Sequence, residues 1–254
     1  MCGCEIYGVH YLRTSKFGDY SMKIPQTDFS EIIDQLHTIP YFHGLGDDVL
    51  RALALTIRWQ THSSDSVLFS EGDVVPSLYH IHRGWVKAVR ISPDGREQTL
   101  RFLGPGETFN EVGMLIEQPS PATVITMEPT EMWLIPREAV RAVLITRPAA
   151  LMRVMENMAE RLATLVQLVS DLSLLTVETR LVRWLLLSCD ENGLVHRRRW
   201  ATQAALAAHL GTTPDVLRRS LRALEDAGLI AVTRKQIRIV DQAGLAARVG
   251  NIAI

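Results

Sequence analysis

The chain has 254 residues, 27 Lys and Arg against 28 Asp and Glu, 47% apolar residues and three cysteines. That length accommodates two domains, and the apolar fraction excludes disorder and collagen-like repeats. Apolar runs such as Leu185-Leu186-Leu187 are broken by Arg180, Arg183 and Asp190, well short of the ~20 residues of a spanning helix, so no membrane crossing is expected.

The opening residues, Met1-Cys2-Gly3-Cys4-Glu5, show neither a basic start before an apolar core nor a small-residue cleavage site, and a cytoplasmic protein is expected. Cys2, Cys4 and Cys189 have no framework spacing, which suits a reducing compartment. A Cys-x-Cys pair without further ligands defines no metal site. Charge is uneven along the chain: residues 1–175 hold 15 basic and 21 acidic side chains, whereas residues 176–254 hold 12 and 7. A basic part attached to an acidic one points to a polyanion as the partner of the former.

Residues 1–27 lack periodicity and read as a leader. An amphipathic helix is expected over Phe29–Leu36, and a second helical pattern over Phe42–Ile57, where Leu45, Leu50, Leu53 and Leu55 are interleaved with Asp47, Asp48 and Arg51. Then the period changes. From Ser66 to Trp133 short runs of Val, Ile, Leu, Tyr and Phe are punctuated by Gly72, Gly84, Gly95 and Gly106, at spacings of 12, 11 and 11. With turns at Pro93-Asp94-Gly95 and Pro105-Gly106, this predicts an antiparallel β-roll over 63–136. Such a roll either encloses a ligand, reached by the turn Thr108-Phe109-Asn110-Glu111, or is filled by its own side chains.

After Pro148, apolar residues fall at Leu151, Met155, Met158, Leu162, Leu165, Val169 and Leu172, in alternating steps of four and three. A heptad seam sustained over three repeats predicts a parallel homodimer. Val154 and Leu168 widen the stripe on one flank, expected to pack on the roll and to couple its contents to the dimer interface. A further helix starts near Thr176, with Val177, Leu181, Trp184, Leu185 and Leu187 on its apolar face, and ends at Asn192-Gly193.

Thr202 to Gly211 reads as a short helix with a threonine N-cap and a closing glycine. Thr212-Thr213-Pro214 restarts a helix at once, with proline in its first turn, which makes a helix-turn-helix. In the second helix Leu217, Leu221 and Leu224 share one side, and Asp215, Arg218, Arg219 and Arg222 the other. Exposed arginine can grip guanine in the major groove and a carboxylate can accept from cytosine, and Thr202, Gln203 and Thr212 complete the set of expected DNA-binding residues. The hairpin Ile230–Val232 and Ile237–Val240 follows, and its tip residues Arg234 and Lys235 form a basic wing suited to phosphates.

Taken together, the motifs resemble those of the CRP/FNR superfamily of bacterial transcription factors, over about residues 35–245. The resemblance rests on Phe69-Ser70-Glu71-Gly72-Asp73, Leu78-Tyr79-His80-Ile81, Gly84-Trp85-Val86-Lys87, Gly95-Arg96-Glu97, Leu103-Gly104-Pro105-Gly106, Arg219–Glu225 and Gly228-Leu229-Ile230. It implies an α+β fold: a jelly-roll double-stranded β-helix like a cyclic-nucleotide-binding domain over 28–147, a coiled-coil dimerisation helix over 148–175 and a winged helix-turn-helix over 176–254. It also implies a homodimeric regulator, activator or repressor, gated by an effector in the roll. Such a regulator binds a two-fold symmetric operator in double-stranded DNA and recruits or blocks RNA polymerase. An effector-independent regulator is the alternative.

Departures from the pattern bear on the effector. The resemblance implies Gly-Glu followed about ten residues later by Arg-Ser or Arg-Thr in cyclic-nucleotide binders. Here Asn110 precedes Glu111, and Ser120-Pro121 stand before Ala122 where the arginine belongs, so a cyclic phosphate lacks its countercharge. Leu165 and Val166 occupy the place of the Thr-Ser pair that reads adenine; a purine edge buried there leaves each polar group unpaired at roughly 1–3 kcal/mol. Cyclic AMP is therefore not expected, and the effector pocket is placed at Phe109, Asn110, Glu111, Val112, Ala122 and Leu165. A four-cysteine iron–sulfur cluster is not expected either, because no cysteine lies between Cys4 and Cys189. Haem stays open, with His62, His80 and His82 as the available imidazoles, and the effector stays unassigned. His80-Ile81-His82 is also similar to a two-histidine cupin metal strand, but Arg83 to Val89 supply no acid and the next histidine is His196, so an enzyme is not expected. Pro214 and Arg218 depart from the family's recognition helix, which leaves the operator sequence unread.

Overall fold

The computed structural model describes residues 29–196, 202–233 and 236–249. The leader with Cys2 and Cys4, and the wing-tip pair Arg234 and Lys235, lie outside the described residues. Two helices come first, α1 (Phe29–Thr38) and α2 (Asp47–Ala54). The helical pattern expected over 42–57 is thus a helix only over Asp47–Ala54. Gly44 sits at φ 77°, a left-handed conformation that ends any helix through it, and Arg58 is already in a strand.

The roll contains β1 (Arg58–His62), β2 (Val67–Phe69), β3 (Ser77–Arg83), β4 (Val86–Ile91), β5 (Glu97–Leu103), β6 (Thr108–Phe109), a short helix α3 (Glu111–Ile116), β7 (Thr123–Thr126) and β8 (Thr130–Pro136). These strands form two antiparallel sheets, ordered β1-β8-β3-β6 and β2-β7-β4-β5. The β-roll is therefore a jelly roll that begins at Arg58. Its two central strands are buried on both faces. Tyr79, Ile81, Met132 and Leu134 point into the roll with Phe69 and Phe109, while Leu78, Trp133 and Ile135 point outward into a second core. That outer core is built with α1, α2 and two following helices, α4 (Arg137–Thr146) and α5 (Pro148–Leu174).

Helix α5 has two unlike sides. Val154 is buried and Met158 half-buried against the outer core, so Met158, expected in the dimer seam, packs on its own roll. Leu151, Met155, Leu162, Leu165 and Val169 are exposed on the other side, and Leu168 and Leu172 are half-buried.

The C-terminal part comprises α6 (Val177–Ser188), β9 (Leu194–His196), α7 (Gln203–His209), α8 (Pro214–Asp226), β10 (Ile230–Val232), β11 (Gln236–Ile239) and α9 (Gln242–Ala247). Leu181, Leu185, Leu206, Leu217, Leu221, Leu224 and Leu245 make its core. Thr202 Oγ1 accepts from the Ala205 amide at 3.1 Å, the expected N-cap, and Thr213 Oγ1 accepts from the Val216 amide at 3.4 Å, a second cap ahead of Pro214. Strand β9 extends the wing to three strands, β10-β11-β9; three residues are too few to show a period in sequence. Leu217 is fully buried, so Leu217→Ala is expected to cost about 2–5 kcal/mol, seen as a lowered urea midpoint for the loss of the C-terminal domain's helical signal.

Candidate nucleic-acid interface and effector site

Helix α8 anchors itself through Leu217, Leu221 and Leu224 and leaves Asp215, Arg218, Arg219 and Arg222 exposed around one shallow groove. Asp215 and Arg218 pair at 3.0 Å across one turn; both are largely exposed, so the pair contributes little and is free to exchange its partners. Glu225 Oε1 accepts from the Val232 amide at 2.9 Å, which ties α8 to the wing sheet. Thr202 is exposed and Gln203 and Thr212 half-buried at the ends of α7. Thr202 also lines a cleft of about 430 Å³ shared with Asp65, Lys87 and Glu97 of the roll. The turn between α7 and α8 rests on the roll as well: Gln98 Nε2 donates to the His209 carbonyl at 3.2 Å, and the Phe102 ring lies 5.2 Å from the His209 imidazole. Gly211 has φ 62°, and a Cβ there would meet Leu172 Cδ2 at 2.6 Å.

At the other end of the roll, Phe109, Asn110 and Glu111 form one turn. Asn110 takes φ 71°, in the left-handed region that asparagine tolerates. Its Nδ2 donates to the carbonyls of Val75 and Ser77 at 2.8 and 2.7 Å, so the side chain pins the turn that it shapes. Glu111 is buried, and its carboxylate forms an ion pair with Arg161 of α5. It also accepts from Thr108 Oγ1 at 3.2 Å. Arg161 Nη2 donates in addition to the Thr108 carbonyl at 3.0 Å. The Tyr41 hydroxyl lies 3.1 Å from Glu111 Oε1 and 2.9 Å from Asn157 Oδ1. Burial first, and then the Glu111 carboxylate, push the Tyr41 phenol above its usual value, so it stays protonated as a donor.

Val112 is on the surface, and Ala122 is buried ahead of β7, its carbonyl accepting from Ser120 Oγ at 2.7 Å. Leu165, expected in the pocket, is 49% exposed; the α5 side chain that reaches Glu111 is Arg161, one turn earlier. Arg161, Asn157 and Tyr41 are the members that the sequence reading lacked. A signal existed for one of them: Val154, Arg161 and Leu168 are spaced by seven, which puts a charge in the middle of the flank expected to face the roll.

The imidazoles stand elsewhere. His80 is packed on Trp133 with ring centroids 5.0 Å apart, on the outer face of β3, and His82 Nδ1 lies 2.9 Å from Gln35 Oε1. His62 Nε2 lies 3.1 Å from Gln60 Oε1. Among the described residues no group of three or more His, Cys, Asp or Glu side chains is placed to hold a metal ion, and no helix is long and apolar enough to cross a membrane.

A helix-turn-helix with a three-stranded wing, joined by a long helix to a jelly roll, is matched by known proteins. The cyclic AMP receptor protein of Thermus thermophilus is 31% identical over 196 residues, 75% of this chain and 88% of the relative. The chain belongs to the CRP/FNR family of transcriptional regulators. The family model for the cyclic nucleotide-binding domain matches residues 59–147, and that for the Crp-like helix-turn-helix domain matches residues 179–248. The CRP-like cAMP-activated global transcriptional regulator of Mycobacterium tuberculosis is 26% identical over 212 residues, 82% of this chain and 95% of its own length. FixK2 from Bradyrhizobium japonicum has the same fold, with a TM-score of 0.68 at 18% identity, covering 78% of this chain and 99% of that one. As a CRP/FNR-type regulator, the protein uses its helix-turn-helix domain to bind DNA.

The ligand that the family's roll implies, a cyclic nucleotide, does not fit the residues present. Its phosphate needs the countercharge that the family pattern supplies ahead of β7, and Ala122 stands there instead. Its base needs room, and Phe69, Tyr79 and Phe109 stack inside the roll, with Tyr79 and Phe109 centroids 4.8 Å apart.

His80 gives a pH prediction for this CRP/FNR protein. Burial, with a smaller contribution from His82, lowers its pKa from 6.5 to about 4. The unfolded chain therefore binds more protons between those values, and stability falls as pH drops from about 6.5 towards 4. His80→Phe is expected to flatten that part of the curve of melting temperature against pH, measured beside the wild type by calorimetry.

Proposed function

We propose that the protein is a homodimeric, sequence-specific DNA-binding regulator of the cytoplasm without enzymatic activity. In this reading the roll spans 28–147, the dimerisation helix 148–175 and the winged helix-turn-helix 176–254. Two copies pair along Leu151, Met155, Leu162, Leu165 and Val169 of α5, with Leu172 at the edge of the seam. Five large apolar side chains exposed along one helix face form a contiguous apolar surface of the kind that a second copy covers. Pairing there sets two α8 helices against successive major grooves of a two-fold symmetric operator, ~34 Å apart.

The observation that carries the reading is the split of α8: a leucine stripe seated in the core and Asp215, Arg218, Arg219 and Arg222 turned outward beside the wing. Arg219 and Asp215 read bases, Arg218 and Arg222 flank them, and Thr202, Gln203, Thr212, Arg234 and Lys235 hold the phosphate backbone. Bound to its operator, the dimer recruits or blocks RNA polymerase. An effector acting at the roll works through residues 108–113 and their contact with α5.

Arg219→Ala is expected to cost about 1–3 kcal/mol and to relax one base position, whereas Lys235→Ala weakens all sequences alike and lowers the salt slope by about one. Binding titrations on selected and random duplexes at several salt concentrations separate the two, and equal losses on both duplexes for Arg219→Ala would refute its role. Leu162→Asp places a charge in the seam and is expected to give a folded monomer in sedimentation equilibrium, with loss of operator binding.

A further inference from the structure

We propose that the roll carries a further ligand site, lined by none of residues 108–113, which takes the phosphate group of a small molecule between Arg58, Ser77 and Arg137. The site stands apart from the DNA-binding reading and is tested without DNA.

Sheet register builds the cavity. Arg58 opens β1 opposite Leu134 of β8, and Ser77 opens β3 opposite Pro136. The chain then leaves β8 directly into α4 at Arg137. These residues, with Glu138, line a cavity of about 340 Å³, the small end of the range for ligand pockets.

The donors around it are unspent. The Arg137 side chain is only 4% exposed, and its Nε is buried without a hydrogen-bond partner. A guanidinium so far from water calls for an anion and for acceptors along its fork. Glu117 meets Nη1, but that carboxylate is itself 66% exposed and covers one end of the group. Among the described residues no hydrogen bond or ion pair holds the Arg58 guanidinium or the Ser77 hydroxyl. Helix α4 starts at the cavity with Pro136 as N-cap and no side-chain cap. The Arg137 amide donates to the Pro76 carbonyl at 3.1 Å, and the next amides of the first turn, at the positive end of the helix, are left for an acceptor.

Two cations, a hydroxyl and a helix N-terminus on one small cavity form the donor set of a phosphate site. A neutral ligand would leave the buried guanidinium as poorly matched as before. Glu138 is exposed and solvated, so it opposes an anion weakly. Glu117 is the ligand's competitor for Arg137. It ends α3 at a left-handed φ of 54°, and Ser77 offers its carbonyl to Asn110, so occupation of the cavity is linked to the helix and the turn beside it.

The test uses the full chain. Calorimetric titration with inorganic phosphate and with glycerol 3-phosphate is expected to show saturable binding that sodium chloride at matched ionic strength does not give. Tighter binding of the ester assigns the site to a phosphorylated metabolite, and equal affinity assigns it to the phosphate ion. Arg58→Met, at an exposed and unpaired position, is expected to weaken binding about tenfold, the loss of one charge-assisted contact. Glu117→Gln removes the competitor and leaves a buried cation unmatched. It is expected to tighten binding and to lower the melting temperature in phosphate-free buffer, with phosphate restoring it. Arg219→Ala removes instead an arginine of α8 that attracts phosphate on the DNA-reading face. Absence of saturable heat with both probes, wild-type affinity in Arg58→Met, weaker binding in Glu117→Gln, or heat that disappears in Arg219→Ala overturns the proposal.

Discussion

Strand β8 has no solvent face. Met132 and Leu134 point into the roll while Trp133 and Ile135 point to the helices, and all four are buried. Its neighbours β1 and β3 flank it on either side, so one strand closes the roll and forms the floor on which α1, α2, α4 and α5 pack. Burial of this kind is the main source of stability in a domain of this size. It also makes the position of α5 a property of the roll: a displacement of the strand disturbs Val154 and Met158 on one side and the aromatic stack on the other. The long helix is thus not an appendage but one wall of the outer core.

The same helix carries three demands around its circumference. One strip is apolar and inward, one is apolar and outward, and between them Arg161 reaches the turn at Glu111 while Asn157 meets the Tyr41 hydroxyl. A helix that satisfies all three has little rotational freedom. The polar strip is decisive, because leucines tolerate a small rotation, whereas an ion pair with several directional hydrogen bonds does not.

Much of this architecture was legible in the chain. Turn glycines at regular spacing marked the roll because every corner needs a tight turn, and the Thr202 cap, the closing Gly211 and Pro214 marked the helix-turn-helix because orphaned amides need acceptors and proline suits a helix's first turn. The elements that escaped were short or interrupted: β9 has three residues, α3 has six, and the pattern over 42–57 concealed a left-handed break at Gly44. The polar site escaped for another reason. Tyr41 and Glu111 are separated by 70 residues, so nothing local pairs them. A charged residue on a helix normally reads as solvated, and Arg161 differs only because the roll lies against it.

Where the reading head meets the roll, the attachment is slight. Among the described contacts, a hydrogen bond from Gln98 to the His209 carbonyl, a hydrogen bond between the His209 side chain and the Thr99 backbone, and a tilted ring contact from Phe102 join the helix-turn-helix to β5. Together such contacts are worth on the order of 2–4 kcal/mol. A specific protein–DNA complex, at roughly 11–15 kcal/mol, exceeds that several-fold. The angle between roll and reading head is accordingly a compliant joint, which the duplex can reset at small cost. Strain from an imperfectly spaced operator is then absorbed at this joint before it reaches α5, and half-sites slightly out of phase should be discriminated less sharply than wrong bases.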